Sequence, residues 1–169
     1  VRSALRNSGF EIPPRRITVN LAPAHFRKEG AAYDLPIAIG ILAATGHEVR
    51  RGLANVVIAG ELALDGSLRP IRGALSIAAA AHALGCARVV VPRANAAEAA
   101  LVAAVDVFGV ASLREAVDVL TGGDAGATPV PPTVITPHPA DDALDLADVR
   151  GQELAKRALE IAASGGHNT

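Results

Sequence analysis

The sequence has 169 residues, half of them apolar, but it holds only three Phe, one Tyr and neither Trp nor Met. Such a composition builds a core from Ala, Val, Leu and Ile, which fits thin α/β layers better than a large ligand cavity or an aromatic nucleic-acid platform. No apolar run is long enough to cross a bilayer, and one cysteine, Cys86, excludes an internal disulfide. We expect a cytoplasmic protein, and the missing Met indicates a fragment or a processed chain.

The formal net charge is −1, but the charges are unevenly distributed along the chain. Residues 1–72 hold ten Arg and Lys against six Asp and Glu, whereas residues 121–169 hold three against seven. The first part of the chain can therefore present a mildly basic face, and a mixed solvated surface is an equally good interpretation.

The N-terminal part predicts one short helix followed by a strand. Residues 2–9 predict a helix end with Gly9 as its stop. Two prolines then force an extended passage into the next element. There Ile17, Val19 and Leu21 alternate with polar neighbours, which is typical of a half-buried strand.

The next stretch predicts a buried helix, a strand and a hairpin. Residues 35–46 are apolar almost throughout, with Pro36 in the first turn and Gly46 as a stop, so they predict a buried helix. Residues 56–58 predict a short buried strand. The dipeptide Asp65-Gly66 is a strong signal for a two-residue hairpin turn.

The remainder of this region alternates helices and strands. Residues 74–84 predict an Ala-rich helix, and residues 87–92 and 106–110 predict strands. Two capping-box patterns predict the starts of further helices, Asn95 with Glu98 and Ser112 with Glu115. The alternation of strands and helices predicts an α/β domain with at least one parallel pair of strands.

The composition changes after the predicted domain. Residues 1–121 form the domain, residues 122–143 a Pro-rich, extended and solvated linker, and residues 144–169 the start of another module. That start predicts an amphipathic helix with Leu154, Ala158 and Ile161 on one face.

Several sequence blocks resemble known families. The segment GELALDGSLRPIRGAL at 60–75 resembles the hairpin and following helix of Lon-type protease domains. More narrowly, the blocks at 1–23, 28–46 and 145–168 together resemble the YifB/ComM family of Mg-chelatase-like AAA+ ATPases. The resemblance implies a ribosomal-protein-S5-domain-2-like (Lon-protease-like) fold whose first strands are absent, followed by the beginning of the AAA+ module.

The resemblance also locates the catalytic positions of a Lon-type protease, which needs a hydroxyl nucleophile beside an amine base. The nucleophile position falls on Ile37 and the base position on Leu75, and neither side chain transfers a proton. A slip of one residue brings Ser76 near the second position but supplies no base. The only lysines, Lys28 and Lys156, match neither position. We expect no peptidase activity.

Nucleotide and metal sites are not expected in these residues. No GxxxxGK[ST] phosphate loop occurs, and the five histidines show no metal-ligand spacing. The resemblance implies that the full-length protein, and not this segment, uses ATP and Mg²⁺ and forms a hexamer together with the remaining AAA+ module.

The basic residues are the candidate DNA contacts, because arginine neutralises phosphates without reading sequence. The resemblance to branch-migration helicases favours an accessory domain that supports oligomer assembly and non-specific DNA contacts. A protein-interaction scaffold and a solvated surface are the alternatives, and only the DNA hypothesis requires the basic side chains to converge on one face. The set is Arg15, Arg16, Arg27, Lys28, Arg50, Arg51, Arg69 and Arg72.

Overall fold

The computed structural model describes residues 1–14, 16–22, 31–122, 128–134 and 146–166. The chain divides into two units, Val1–Ile135 and Thr136–Thr169. In chain order the helices and strands of the first unit are α1 (Arg2–Asn7), α2 (Asp34–Ala44), β1 (Val56–Ile58), β2 (Glu61–Leu62), β3 (Leu68–Arg69), α3 (Ala74–Ala83), β4 (Arg88–Pro92), α4 (Ala96–Ala99), β5 (Asp106–Val110) and α5 (Leu113–Thr121).

Three of the strands form a parallel sheet in the order β1-β4-β5, which confirms the predicted α/β class. In the central strand β4, residues Val89, Val90 and Val91 are fully buried. Alternate side chains of a strand point to opposite faces, so Val90 enters one core while Val89 and Val91 enter the other. A parallel sheet buried on both faces is expected to have such an apolar run.

Helices cover both faces of the sheet. On one face α1, α2 and α5 contribute the large side chains, including Leu5, Leu42 and Leu113, which are completely buried. On the other face α3 and α4 contribute almost only alanines, with Ala78 and Ala81 completely buried. Small side chains let these two helices approach the sheet closely, so the Ala-rich composition is consistent with a thin second layer.

The predicted strand through Ile17, Val19 and Leu21 is wrong. These residues have no regular secondary structure, and all three side chains are exposed. An alternating pattern becomes a strand only when a neighbouring strand accepts and donates the backbone hydrogen bonds. Within the described residues, no backbone group of residues 16–22 makes such a bond.

The hairpin is confirmed, but its turn is longer than predicted. Strands β2 and β3 pair with Glu61 opposite Arg69, and the Ala63 amide donates to the Ser67 carbonyl at 2.9 Å. Three residues therefore form the loop instead of two, and Gly66 at φ +90° supplies the left-handed position that a three-residue loop requires.

Both predicted helices begin where the capping patterns place them, but only one of the two predicted caps forms. The Ser112 hydroxyl accepts from the Glu115 amide at 3.2 Å and caps α5 as predicted. Helix α4 begins directly after Asn95 as predicted, but the Asn95 side chain makes no cap hydrogen bond. Its side chain binds the backbone of Ile71 instead, 24 residues earlier in the sequence. A long-range contact has thus replaced the local one.

Part of the expected linker lies against the sheet. Residues 123–127 and 135–145 are outside the described residues, but Val130 is half-buried and its amide donates to the Val107 carbonyl in β5 at 2.7 Å. The Thr133 amide likewise donates to the Ala100 carbonyl at 3.0 Å. The stretch 128–134 is therefore not the wholly solvated chain that its composition predicts.

In the second unit, helix α6 spans Glu153–Gly165. It begins nine residues later than residue 144, because Gly151 and Gln152 both adopt positive φ and no helix continues through them. The helix ends at Gly165, and Gly166 follows it at φ +63°. Among the residues that the structure describes, no helix is long and apolar enough to cross a membrane.

Gly52 marks the tightest backbone contact of the larger unit. It lies in the 3-10 helix Glu48–Leu53, and a Cβ at this position would overlap the carbonyl group of Leu120 in α5. Because the obstacle is backbone, no side-chain rotation can relieve it. By contrast, a Cβ on the helical Gly40 would meet nothing within 4 Å.

The two glycines predict opposite effects of the same substitution. Gly52→Ala forces α5 away from the 3-10 helix, so we expect the free energy of unfolding to fall by about 1–3 kcal/mol. Gly40→Ala, the matched control, favours the helix and should raise stability by about 0.5–1 kcal/mol. Urea unfolding followed by circular dichroism measures both values. Equal stability of the two variants would contradict the close approach.

The hairpin turn predicts a pH dependence of stability. Hydrogen bonds from the Ser67 amide and the Ser67 hydroxyl hold the pKa of Asp65 below its ordinary value. The ionised form is therefore favoured by folding, and its contribution is present above the unfolded pKa of about 3.9. It is lost as the pH falls through the lower folded value.

We therefore expect Asp65→Asn to destabilise the protein at neutral pH, and the difference from the parent protein to shrink in strong acid. Carboxyl resonances followed by NMR titration measure the pKa, and urea unfolding at two pH values measures the stability. A stability difference that grows on acidification would show that the ionised form of Asp65 does not stabilise the turn.

Candidate nucleic-acid interface and apolar groove

One predicted arginine pair lies at the amino end of the parallel sheet. Arg50 and Arg51 are exposed in the last turn of the 3-10 helix Glu48–Leu53, which precedes β1. The Arg88 guanidinium holds this helix against the sheet by donating to the carbonyls of Gly52 at 2.8 Å and Ala54 at 3.2 Å. The pair is therefore presented on a fixed support.

A second predicted pair lies at the opposite end. Arg69 is in β3 of the hairpin, and Arg72 is in the loop before α3. The hairpin is joined to the carboxyl end of β5, because the Leu68 amide donates to the Ala111 carbonyl at 2.8 Å. Arg69 also lies 3.9 Å from the Glu61 carboxylate, so its charge is partly compensated.

The structure thus does not bring the two pairs together. Strand β4 has five residues, and the four steps between them, at about 3.3 Å each, separate the ends of the sheet by roughly 13 Å. Arg16 occupies a third place, beside Arg2 and α2. Arg15, Arg27 and Lys28 lie outside the described residues.

An apolar groove runs between the segment 17–21 and the outer face of α2. Its volume is about 370 Å³, and its floor includes Pro36, Ile37, Gly40 and Ile41. The adjoining part of the groove shares Ile37 and Ile41 and is also lined by Arg2 and Arg16. An open apolar surface with arginines at one end can bind a ligand, and among its described lining residues only Thr18 and Tyr33 carry hydroxyl groups.

The two positions that the resemblance to Lon-type proteases assigns to a nucleophile and a base hold side chains that cannot transfer a proton. Ile37 lines the groove, and Leu75 is exposed in the first turn of α3. The helices α2 and α3 that carry them cover opposite faces of the sheet. In the described part of the chain, no group of three or more His, Cys, Asp or Glu is placed to hold a metal ion.

Asn95 fixes the loop that carries Arg72. It is a buried polar residue whose amide donates to the Ile71 carbonyl at 2.8 Å, and whose carbonyl accepts from the Ile71 amide at 2.9 Å. The neighbouring Glu98 accepts from the Leu75 amide at 3.1 Å. These bonds tie the hairpin, α3 and α4 together at one end of the sheet.

Sequence reasoning missed Arg2 and the groove. The signal for the groove was present in the alternating Ile17, Val19 and Leu21, but it was interpreted as a core-facing strand. No comparable local signal pointed to Arg2, because only the fold brings it beside Arg16.

Comparison with known proteins identifies the family. The model of the family described as subunit ChlI of Mg-chelatase matches residues 1–95, which is more than half of the chain. The chain belongs to this Mg-chelatase-like family. A second family model, magnesium chelatase subunit ChlI, matches residues 145–169, so both units carry features of the same family.

Curated relatives narrow the position within the Mg-chelatase-like family to the YifB/ComM group. YifB of Salmonella typhimurium is 44% identical over 168 residues, and YifB of Escherichia coli is 42% identical over the same length. Competence protein ComM of Haemophilus influenzae is 42% identical over 170 residues. Each alignment covers 99% of this chain, and the chain spans about a third of the length of these relatives, 32% to 33%.

The hydrogen bonds of Asn95 to Ile71 predict that replacing Asn95 lowers the free energy of unfolding more than replacing the exposed Asn7 does. Asn95→Ala leaves the Ile71 amide and carbonyl without partners, so we expect a loss of about 2 kcal/mol in urea unfolding. Asn7→Ala is the control, because Asn7 also bonds a backbone carbonyl, that of Leu64 at 2.7 Å, but is exposed. For Asn7→Ala the free energy of unfolding should fall by less than about 1 kcal/mol.

Amide hydrogen exchange locates the effect. The Ile71 amide should exchange faster in Asn95→Ala, with β1 and β5 unchanged. Unaltered exchange at Ile71 would show that Asn95 does not hold this loop.

Proposed function

We propose that this chain is a non-catalytic accessory domain of a Mg-chelatase-like ATPase, which supports assembly of the ATPase and contacts DNA phosphates without reading sequence. The observation that supports the DNA contacts is the exposed pair Arg50 and Arg51 at the amino end of the sheet. Neither guanidinium makes an ion pair with another described residue. Both charges therefore remain available to an anionic partner.

The amino-end pair is a better phosphate site than the carboxyl-end pair. Arg69 faces Glu61, whose carboxylate repels a phosphate and competes for the guanidinium. Arg50 and Arg51 instead project from a short helix that Arg88 anchors to the sheet. Two arginines on a fixed support favour backbone contact over base readout, which needs side chains that enter a groove of the duplex.

The two units offer no fit for ATP among their described residues. Gly165 and Gly166 lie at the C-terminal end of α6, where backbone carbonyls leave a partial negative charge. A nucleotide phosphate binds instead at helix N-termini, where amides point outward. We infer that the ATP and Mg²⁺ of such an ATPase bind outside these described residues, and that this domain acts on the ATPase through protein and DNA contacts.

A protein-interaction scaffold is the second candidate, and the apolar groove beside α2 favours it. An exposed face with Ile17, Val19, Leu21 and Ile37 binds protein better than it binds a phosphate backbone. The two candidates use different surfaces, so variants of each surface separate them.

Fluorescence anisotropy with labelled duplex, single-stranded and branched DNA tests the DNA contacts. We expect salt-sensitive binding, and Arg50→Glu/Arg51→Glu should weaken it for all sequences alike. The logarithm of the binding constant for duplex DNA falls with the logarithm of the salt concentration, by a slope of about 0.9 for each phosphate contact. Loss of two contacts in the double variant should therefore reduce the magnitude of this slope by about 1.8.

The control variant is Arg150→Glu/Arg157→Glu, which changes the net charge equally in the second unit. Its binding should stay near that of the parent protein. A comparable loss in both double variants would assign binding to net charge alone. Absence of binding at low salt would rule out the DNA role and leave the scaffold.

A further inference from the structure

The segment 128–134, here called the strap, is the part of the expected linker that contacts the larger unit. Val130 pairs antiparallel with Val107, and its amide donates to the Val107 carbonyl at 2.7 Å. Because β4 occupies one side of β5, the strap lies along the other side. The Val130 side chain packs against the Ala-rich core under α3 and α4. The larger unit, Val1–Ile135, therefore includes the strap.

The sequence of the strap limits how far it can pair with β5. In an antiparallel pair, alternate residues direct their N–H groups to the same neighbour, so residue 132 is the next after Val130 that could donate to β5. Residue 132 is Pro, which has no N–H, and the pairing therefore cannot continue in that direction. The Thr133 amide donates instead to the Ala100 carbonyl at the end of α4, at 3.0 Å.

The strap is also less buried than the strands beside it. Val130 and Thr133 are half-buried and Val134 is 81% exposed, whereas Val107 and Val89 are completely buried. Detaching the strap uncovers one valine, but separating β5 from β4 would open the core itself. Opening of the strap alone therefore costs much less free energy than unfolding of the unit, as expected for a segment with few buried apolar contacts.

The position of the strap in the sequence gives its release a consequence for the second unit. While the strap is docked, twelve residues, 134–145, lie between Thr133 and the first helical turn of that unit at Leu146. Without it, twenty-four residues, 122–145, lie between the end of α5 at Thr121 and Leu146. Since the maximal reach of a chain is proportional to its number of residues, release doubles the length of chain that joins the units.

We propose that the strap is releasable: docked on β5 it shortens the connection to the second unit, and detached it lengthens that connection. A pull on the chain from the second unit loads the Thr133 bond first and the Val130 bond next, so these contacts break one after the other. The proposal goes beyond the DNA and scaffold roles and depends on neither, because none of the residues 128–134 belongs to the 3-10 helix with Arg50 and Arg51 or lines the groove.

Native-state amide hydrogen exchange tests release in the unaltered chain. The Val130 and Thr133 amides should be protected, but they should exchange at least about a hundredfold faster than the bonded amides of β4, at a rate that low urea concentrations do not change. Exchange as slow as in β4 would show that the strap opens only when the whole unit unfolds. Exchange without protection would show that the strap does not dock. Either result overturns the proposal.

Matched variants test the length of the connection. Val130→Asp removes the apolar contact and favours the detached strap, whereas Val134→Asp adds the same charge at an exposed position of the strap. Small-angle X-ray scattering should give a larger maximum dimension for Val130→Asp than for Val134→Asp or the parent protein. Equal dimensions of the two variants would contradict the proposal.

A third variant leaves the side chain that packs against the core in place. Thr133→Pro removes the amide that donates to Ala100 but keeps Val130, so the unit should fold as before. We expect the Val130 amide to exchange at least about tenfold faster in this variant, because the strap has lost one of its hydrogen bonds. Unchanged exchange at Val130 would show that the two contacts do not hold one strap, and would overturn the proposal.

Discussion

The parallel pairing of β4 with both of its neighbours is the constraint on which the rest of the larger unit depends. The register sets Val89 between Val57 and Val107, so one run of valines fixes the positions of three strands. Because parallel strands need a crossover connection, each pairing also places a helix on the sheet. The Ala-rich α3 and the helices α1, α2 and α5 then cover the two faces that β4 defines.

The same constraint separates the charged surfaces. Whatever precedes a strand lies at the amino end of a parallel sheet, and whatever follows it lies at the carboxyl end. The 3-10 helix with Arg50 and Arg51 precedes β1, while the hairpin with Arg69 follows it. Arg50 and Arg69 are less than twenty positions apart in sequence. Because β1 lies between them, they are at opposite ends of the sheet. Arg88 and Asn95 then reinforce the two ends by binding backbone carbonyls there.

Local sequence patterns predicted most of the helices and strands, but fewer of the contacts between side chains and distant residues. The buried run of β4, the apolar α2 and the Ser112 cap are determined by neighbours within a few residues, so their patterns were sufficient. The helix start at Asn95 was predicted, but the partner of its side chain was not, because that partner lies 24 residues away and no local pattern reports it. Likewise, the basic residues were recognised by type, but their grouping depends on strand order, which single-sequence patterns do not provide.

In the segment 17–21, apolar and polar residues alternate as in a strand, but the segment does not form one. Alternation reports that one side of a segment is suited to apolar contact, but it does not say whether this chain supplies the contact. Here α2 covers only part of Ile17, Val19 and Leu21, and the backbone pairs with no described strand. Ile37, at the position that would hold a protease nucleophile, adds to the same apolar surface. An isoleucine side chain can pack against apolar groups but cannot transfer a proton.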